Sequence, residues 1–218
     1  MGMGRDQDRR PGRRPAFRST KKSILIVCEG ANSEPQYFKQ FAEAHREAIV
    51  NVETVAAAGV PLSVVREAKR HKKEAAATAK RVGNPYLKYD SVWAAFDVDE
   101  HPYVPEALDM AKRNGVNVAL SNPCFELWLI LHLRDAPGMI HRHAAQAMLK
   151  RLVADYDKNI DYKTYQNSHE KAVERARKLD VLAEEVGEPG RNPTTGAYKL
   201  TETIVPPKQK KKPKKSGR

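Results

Sequence analysis

The stretch ILIVCEGANSEPQYF, residues 24–38, decides the fold. Its apolar opening ends at Cys28 and breaks off on Glu29-Gly30, and a short apolar run bounded by a turn signal reads as a buried strand. Within a few positions the chain turns helical: Ser33 or Glu34 can cap a helix, and Pro35 suits its first turn. Glu29 is therefore expected at the carboxyl end of a strand, where open α/β sheets place their sites.

The same alternation continues outward from this stretch. A helix is expected over 35–49, with Phe38, Phe41 and Ala42 on one face, then a strand in IVNVETVAA (49–57) and a long helix over 61–82. Ser91 to Phe96 read as a third buried strand, residues 104–115 as a helix closed by Asn114-Gly115, and VNVAL (116–120) as a fourth strand. Strands and helices in alternation predict an α/β fold with a mostly parallel, Rossmann-like sheet flanked by helices. SNPCFELWLILHL (121–133) reads as a deeply packed helix, apolar on nearly every side, with Asn122 at its N-cap and Pro123 at its first position. Beyond residue 140 the segments HRHAAQAMLKRLVADY, NSHEKAVERARKLDVLAEEVG and NPTTGAYKLTETIV read as polar helices. They form a helical C-terminal extension (140–205) of the core domain (23–139).

The formal charge of +12 points toward nucleic acid, but it is unevenly placed. Residues 1–22 carry eight Lys/Arg against Asp6 and Asp8, and residues 207–218 carry seven with no acid, so the body between them is close to neutral. Both tails, 1–22 and 206–218, are poor in apolar residues and are expected to be disordered, either as solubilising segments or as phosphate-binding ones. The helix over 61–82 has a basic side with Lys69, Arg70, Lys72 and Lys73, which is either a solvated face or a nucleic-acid contact. No run of about 18 apolar residues exists and no apolar leader core opens the chain, so a cytoplasmic location with no membrane partner is expected. Cys28 and Cys124 sit among apolar neighbours and read as buried core residues.

Chemistry concentrates in the acids. Asp97 and Asp99 follow the third strand at i and i+2, a spacing that turns both to one side of an extended backbone. If that strand neighbours the first, Glu29 approaches the same point, and three carboxylates so gathered need a cation between them. Hard oxygen ligands suit Mg²⁺ or Mn²⁺. Glu29, Asp97 and Asp99 are thus candidate metal ligands and catalytic residues for phosphoryl chemistry; the plainer alternative makes them surface acids capping turns. Glu126, set between Phe125 and Leu127, is a buried acid that needs a metal or an internal Arg or Lys. His132 reads as a satisfied core histidine, and His141 and His143 as surface residues.

Five motifs in order, VCEGANSEPQYF, FDVDEH, SNPCFELWLILH, YDKNIDY and NPTTGAYKL, resemble the RloB family, with a Toprim-like fold, across roughly residues 22–204. The resemblance implies that Glu29 acts as general acid or base and that Asp97 and Asp99 hold Mg²⁺ (or Mn²⁺). It adds Glu126, Tyr156, Lys158 and Asn192 as candidate site residues, with Lys158 placed to stabilise a pentavalent phosphate. The sequence departs from the commoner family opening at Ala31-Asn32-Ser33, though Ser33 keeps a hydroxyl and Glu34 is retained. The family also implies a setting in restriction-linked and abortive-infection loci beside an AAA-type ATPase partner. The expected activity is a metal-dependent endonuclease acting as a toxic effector against phage, on RNA such as tRNA by analogy only. Two alternatives stand beside it: a non-catalytic nucleic-acid-binding regulatory subunit, and a nucleotidyl transferase or hydrolase acting on small nucleotides.

Overall fold

The computed structural model describes residues 21–54, 60–98, 103–154 and 156–207. Strands β1 (Lys22–Cys28), β2 (Ala48–Thr54), β3 (Ser91–Asp97) and β4 (Asn117–Asn122) are parallel, and β5 (Thr194–Thr195) is antiparallel to β4. Their order is β2-β1-β3-β4-β5. Helices α1 (Ser33–His45), α2 (Pro61–Val82), α3 (Val104–Asn114), α4 (Glu126–Leu133), α5 (Arg142–Leu152), α6 (His169–Glu185) and α7 (Ala197–Ile204) flank the sheet. The α/β class with a mostly parallel sheet is as the alternating pattern predicts.

β1 is a continuous apolar run because it is covered on both faces. Ile24, Ile26 and Cys28 enter one apolar layer with α1, α4, α5, α6 and α7, whereas Leu25 and Val27 enter a second with α2 and α3. α1 carries the chain from β1 out to β2. α2 then returns it across β1 to β3, and α3 continues to β4. The chain therefore leaves the ends of β1 and β3 toward opposite faces, which opens a crevice between those two strand ends.

Three boundaries differ from the sequence pattern. α1 stops at His45 because Arg46 takes a left-handed turn (φ 55°), so Ile49 belongs to β2. Asn122 is not a helix cap: it still pairs with Thr194 in the sheet, and its side-chain amide is spent on the Gly190 carbonyl at 2.9 Å. The Asn122–Pro123 peptide is cis, and α4 begins only at Glu126. The third difference is that NPTTGAYKL is not helical throughout. Thr194 and Thr195 form β5, and Gly196 donates to the Leu120 carbonyl at 2.7 Å. A Cβ on Gly196 would lie 3.1 Å from the Leu120 nitrogen, so only glycine lets the chain cross β4 this closely. Between residues 140 and 205 the helices α5, α6 and α7 share the apolar layer of α1 and α4.

His132, 3% exposed, is a fully used core histidine. The Tyr165 carbonyl, 2.9 Å from Nδ1, can only accept, so Nδ1 carries the proton and Nε2 accepts from the Tyr37 hydroxyl at 3.0 Å. Burial pushes its pKa down to about 3. Cys28 and Cys124 are buried free thiols. Among the described residues no helix is long and apolar enough to cross a membrane.

Candidate functional site: a carboxylate pocket at the strand ends

The register of β1 on β3, with Cys28 opposite Ala95, determines what meets at the crevice. Just past that pair, the Glu29 amide donates to the Ala95 carbonyl at 3.0 Å, and Glu29 Oε2 accepts from the Asp97 amide at 3.2 Å. Two acids from separate strands are thereby locked side by side. From the first turn of α1, Glu34 folds back over Gly30, where a Cβ would overlap its carboxyl group. Glu126 opens α4 and accepts from the Tyr156 hydroxyl at 3.3 Å.

Glu29, Glu34, Asp97 and Glu126 line one pocket of about 210 Å³, with Arg142, Gln146 and Lys158 around them. Glu34 and Glu126 are only 7% and 5% exposed. Burial, then the charges of Glu126 and Glu29, push the Glu34 carboxyl up to about 7, against the pull of Lys158. Asp97 is also raised well above the usual carboxylate range, first by burial and then by Glu34, Glu126 and Glu29, with Arg142 opposing.

Lys158 is held deliberately. It has φ 76°, a left-handed conformation that costs a non-glycine residue about 1–2 kcal/mol. The Ser33 hydroxyl donates to the Lys158 carbonyl at 3.3 Å and stands 3.2 Å from the Tyr156 hydroxyl. Two side chains one turn apart on α1 then grip the following backbone: Gln36 accepts from the Ile160 amide at 2.8 Å, while Gln40 donates to the Ile160 carbonyl at 2.6 Å and accepts from the Tyr162 amide at 2.9 Å. This ladder keeps the loop, and Lys158 with it, against the start of α1.

The structure therefore brings Glu29, Asp97, Glu126 and Lys158 together, with Tyr156 beside Glu126. Asp99 lies outside the described residues, as do the tails 1–20 and 208–218 and positions 55–57 of the expected second strand. Asn192 does not line the pocket; its side chain bonds both the amide (3.0 Å) and the carbonyl (2.8 Å) of Ile140. The basic face of α2 is elsewhere, on the other side of the sheet. Arg70 is bound by Glu67 and, at 2.6 Å, by Glu74. Lys72 donates to the Asn114 and Gly115 carbonyls at 2.9 and 2.6 Å, where α3 turns into β4 at the sheet end remote from the pocket. Lys69 is half-buried and Lys73 exposed. His141 and His143 are exposed as expected.

Sequence reasoning missed Glu34, Arg142 and Gln146 as pocket residues. Glu34 was legible only as a helix-cap acid. Arg142 and Gln146, one turn apart on α5, look in sequence like any solvated helix face.

The RloB-like protein family model matches residues 24–204. The chain belongs to this family. The match spans β1 through α7, so every described pocket residue falls within the family's own extent. No curated protein and no solved structure matches the chain. An all-oxygen donor set of crowded carboxylates has the chemistry a hard divalent cation prefers. Among the described residues, however, no group of three or more His, Cys, Asp or Glu stands together as a metal site.

Proposed function

We propose that this RloB-like protein is a metal-dependent endonuclease whose site is the carboxylate pocket. The observation that carries the reading is the pairing of Glu29 with the Asp97 backbone at a topological switch point, with two further buried acids in the same pocket. Isolated buried carboxylates are costly, and four in one pocket make sense where a cation and a phosphate are handled. Mg²⁺ or Mn²⁺ held by Glu29, Asp97 and Asp99 would neutralise phosphate oxygens and supply activated water.

The remaining chemistry falls to the chain's own groups. Glu29, fixed by the Asp97 amide, takes a proton from the attacking water. Lys158 and Arg142 draw the phosphodiester to the pocket and counter the charge that builds on it. Glu34, pushed up to about 7 by burial and then by the charges of Glu126 and Glu29, can in its protonated form give a proton to the departing sugar oxygen as the P–O bond breaks. RNA such as tRNA, a toxic role in phage defence and an AAA-type ATPase partner complete the proposal by family analogy.

The test is incubation of the protein with total tRNA, single-stranded RNA and duplex DNA in Mg²⁺, Mn²⁺ or EDTA, with Glu29→Gln and Asp97→Ala alongside. Metal-dependent cutting of one class, absent from both variants, is expected. Cutting at the wild-type rate by either variant overturns the reading. The rival reading is a binding subunit without turnover. Binding that persists in EDTA and in Asp97→Ala, with no cutting under any condition, decides for it.

A further inference from the structure

The carboxylate pocket does not end at Glu126. A second hollow of about 190 Å³ adjoins it, sharing Glu126, Gln146 and Lys158 and adding Lys150, Tyr156 and Asp157. The two hollows differ in character. The first is walled by four acids, whereas in the second the acids are already engaged. Glu126 takes the Tyr156 hydroxyl, and Asp157 Oδ1 accepts from the Asn159 side-chain amide at 2.7 Å and its backbone amide at 3.3 Å. Lys150 and Lys158 are both exposed, and neither forms an ion pair among the described residues. Lys150 thus faces the hollow without an ion pair among the described residues, and Lys158 stands between the two hollows, its charge also acting on Glu34, in contrast to Arg70 and Lys72 on α2.

α5 supplies the line between the hollows. Arg142, Gln146 and Lys150 are spaced by four residues and so share one face of the helix, each step advancing about 6 Å. Read from the acid pocket outward, this face offers a cation, an amide and a cation. That series suits a row of spaced anions.

We propose that the Lys150–Lys158 hollow is a second phosphate subsite, holding the phosphate next to the scissile one so that α5 guides a single nucleic-acid strand into the pocket. The inference rests on the phosphodiester reading of the acid pocket and extends it to a substrate with at least one further nucleotide on the α5 side. The strand would be recognised by its backbone, without base preference.

Binding tests it separately from turnover. Fluorescein-labelled eight-nucleotide strands, oligo-uridylate RNA and oligo-thymidylate DNA, are titrated in EDTA across a salt series with the wild type, Lys150→Ala, Lys150→Glu and the exposed α6 control Lys178→Ala. Lys150→Ala is expected to weaken binding roughly threefold or more and to flatten the salt slope by about one phosphate contact, with Lys150→Glu weaker still and Lys178→Ala unchanged. Matching losses for both strands assign the subsite to the shared backbone, and a loss for RNA alone assigns it to a ribose-bearing strand. Unchanged affinity and slope in both Lys150 variants overturn the proposal, even if the protein cuts nucleic acid. Equal losses with free uridine triphosphate as competitor, matching the eight-nucleotide strand in affinity, also overturn it, since a compact nucleotide would then be the occupant. If no metal supports cutting but the Lys150 dependence holds, the subsite stands and the endonuclease reading falls.

Discussion

The basic helix α2 and the carboxylate pocket carry charge in opposite ways. On the α2–α3 face, charged groups satisfy one another or the backbone: Arg70 lies between Glu67 and Glu74, Arg113 pairs with Asp109 at 2.6 Å, and Lys72 closes the end of α3. On the α1–α4–α5 side, acids crowd one another until Glu34 and Asp97 resist ionising. Charge on the first face serves folding. Charge in the pocket is held against its own electrostatic preference, the feature on which the proposed function rests. The uneven formal charge of the sequence says nothing of this difference, because the decisive quantity is which groups are left facing a cavity.

The comparison can be broken first at its strongest point. Asp97→Ala should lower cleavage by about a thousandfold or more while leaving the melting temperature unchanged or higher, since it removes a crowded acid. A large fall in Tm would mean that the pocket acids are structural after all. The next effect is pH dependence. The folded protein holds Glu34 at about 7, whereas an unfolded carboxyl ionises near 4.5. Stability from the protonated form is then full below pH 4.5 and lost as pH rises through 7. The swing is at most about 3 kcal/mol, with Asp97 acting in the same sense. Thermal melts in EDTA from pH 4.5 to 8 should show it, Glu34→Gln should flatten it, and Mg²⁺ should restore Tm at pH 8 if the pocket binds the ion. Lys158→Ala, at a residue that borders both hollows, should lower the single-turnover cleavage rate by about ten- to a hundredfold and weaken strand binding as well. On the opposite face, Lys72→Ala should cost about 1 kcal/mol in urea unfolding and leave nucleic-acid binding intact. Smallest of all, Lys69→Ala/Lys73→Ala should weaken strand binding less than Lys150→Ala does; the reverse order would return the contact to α2.

How much of this could be read from the residues depends on range. Continuous burial of residues 24–28 and the helical period of residues 61–82 are local signals, and the elements they predict are present. The approach of Glu29 to Asp97 was readable once their strands were taken as neighbours. β5 was not, because two threonines carry no period and exist as a strand only through β4. Asn122 and Pro123 imitate a helix start perfectly well in sequence; the competing hydrogen bonds to Thr194 and Gly190 come from about 70 residues away. Arg142 and Gln146 became pocket residues for the same reason, through the packing of α5 on α4.

The placement of β5 and α7 also bears on how the chain matures during synthesis. β1, an interior strand of the sheet, is made early, but the free edge of β4 is covered only when Thr194 and Thr195 arrive, and α7 then packs on both β4 and α1. Until residues through Ile204 have emerged, β4 shows an open edge and α1 lacks one of its supports. A growing chain thus makes all four pocket acids before β5 and α7, the elements that cover the edge of β4 and brace α1.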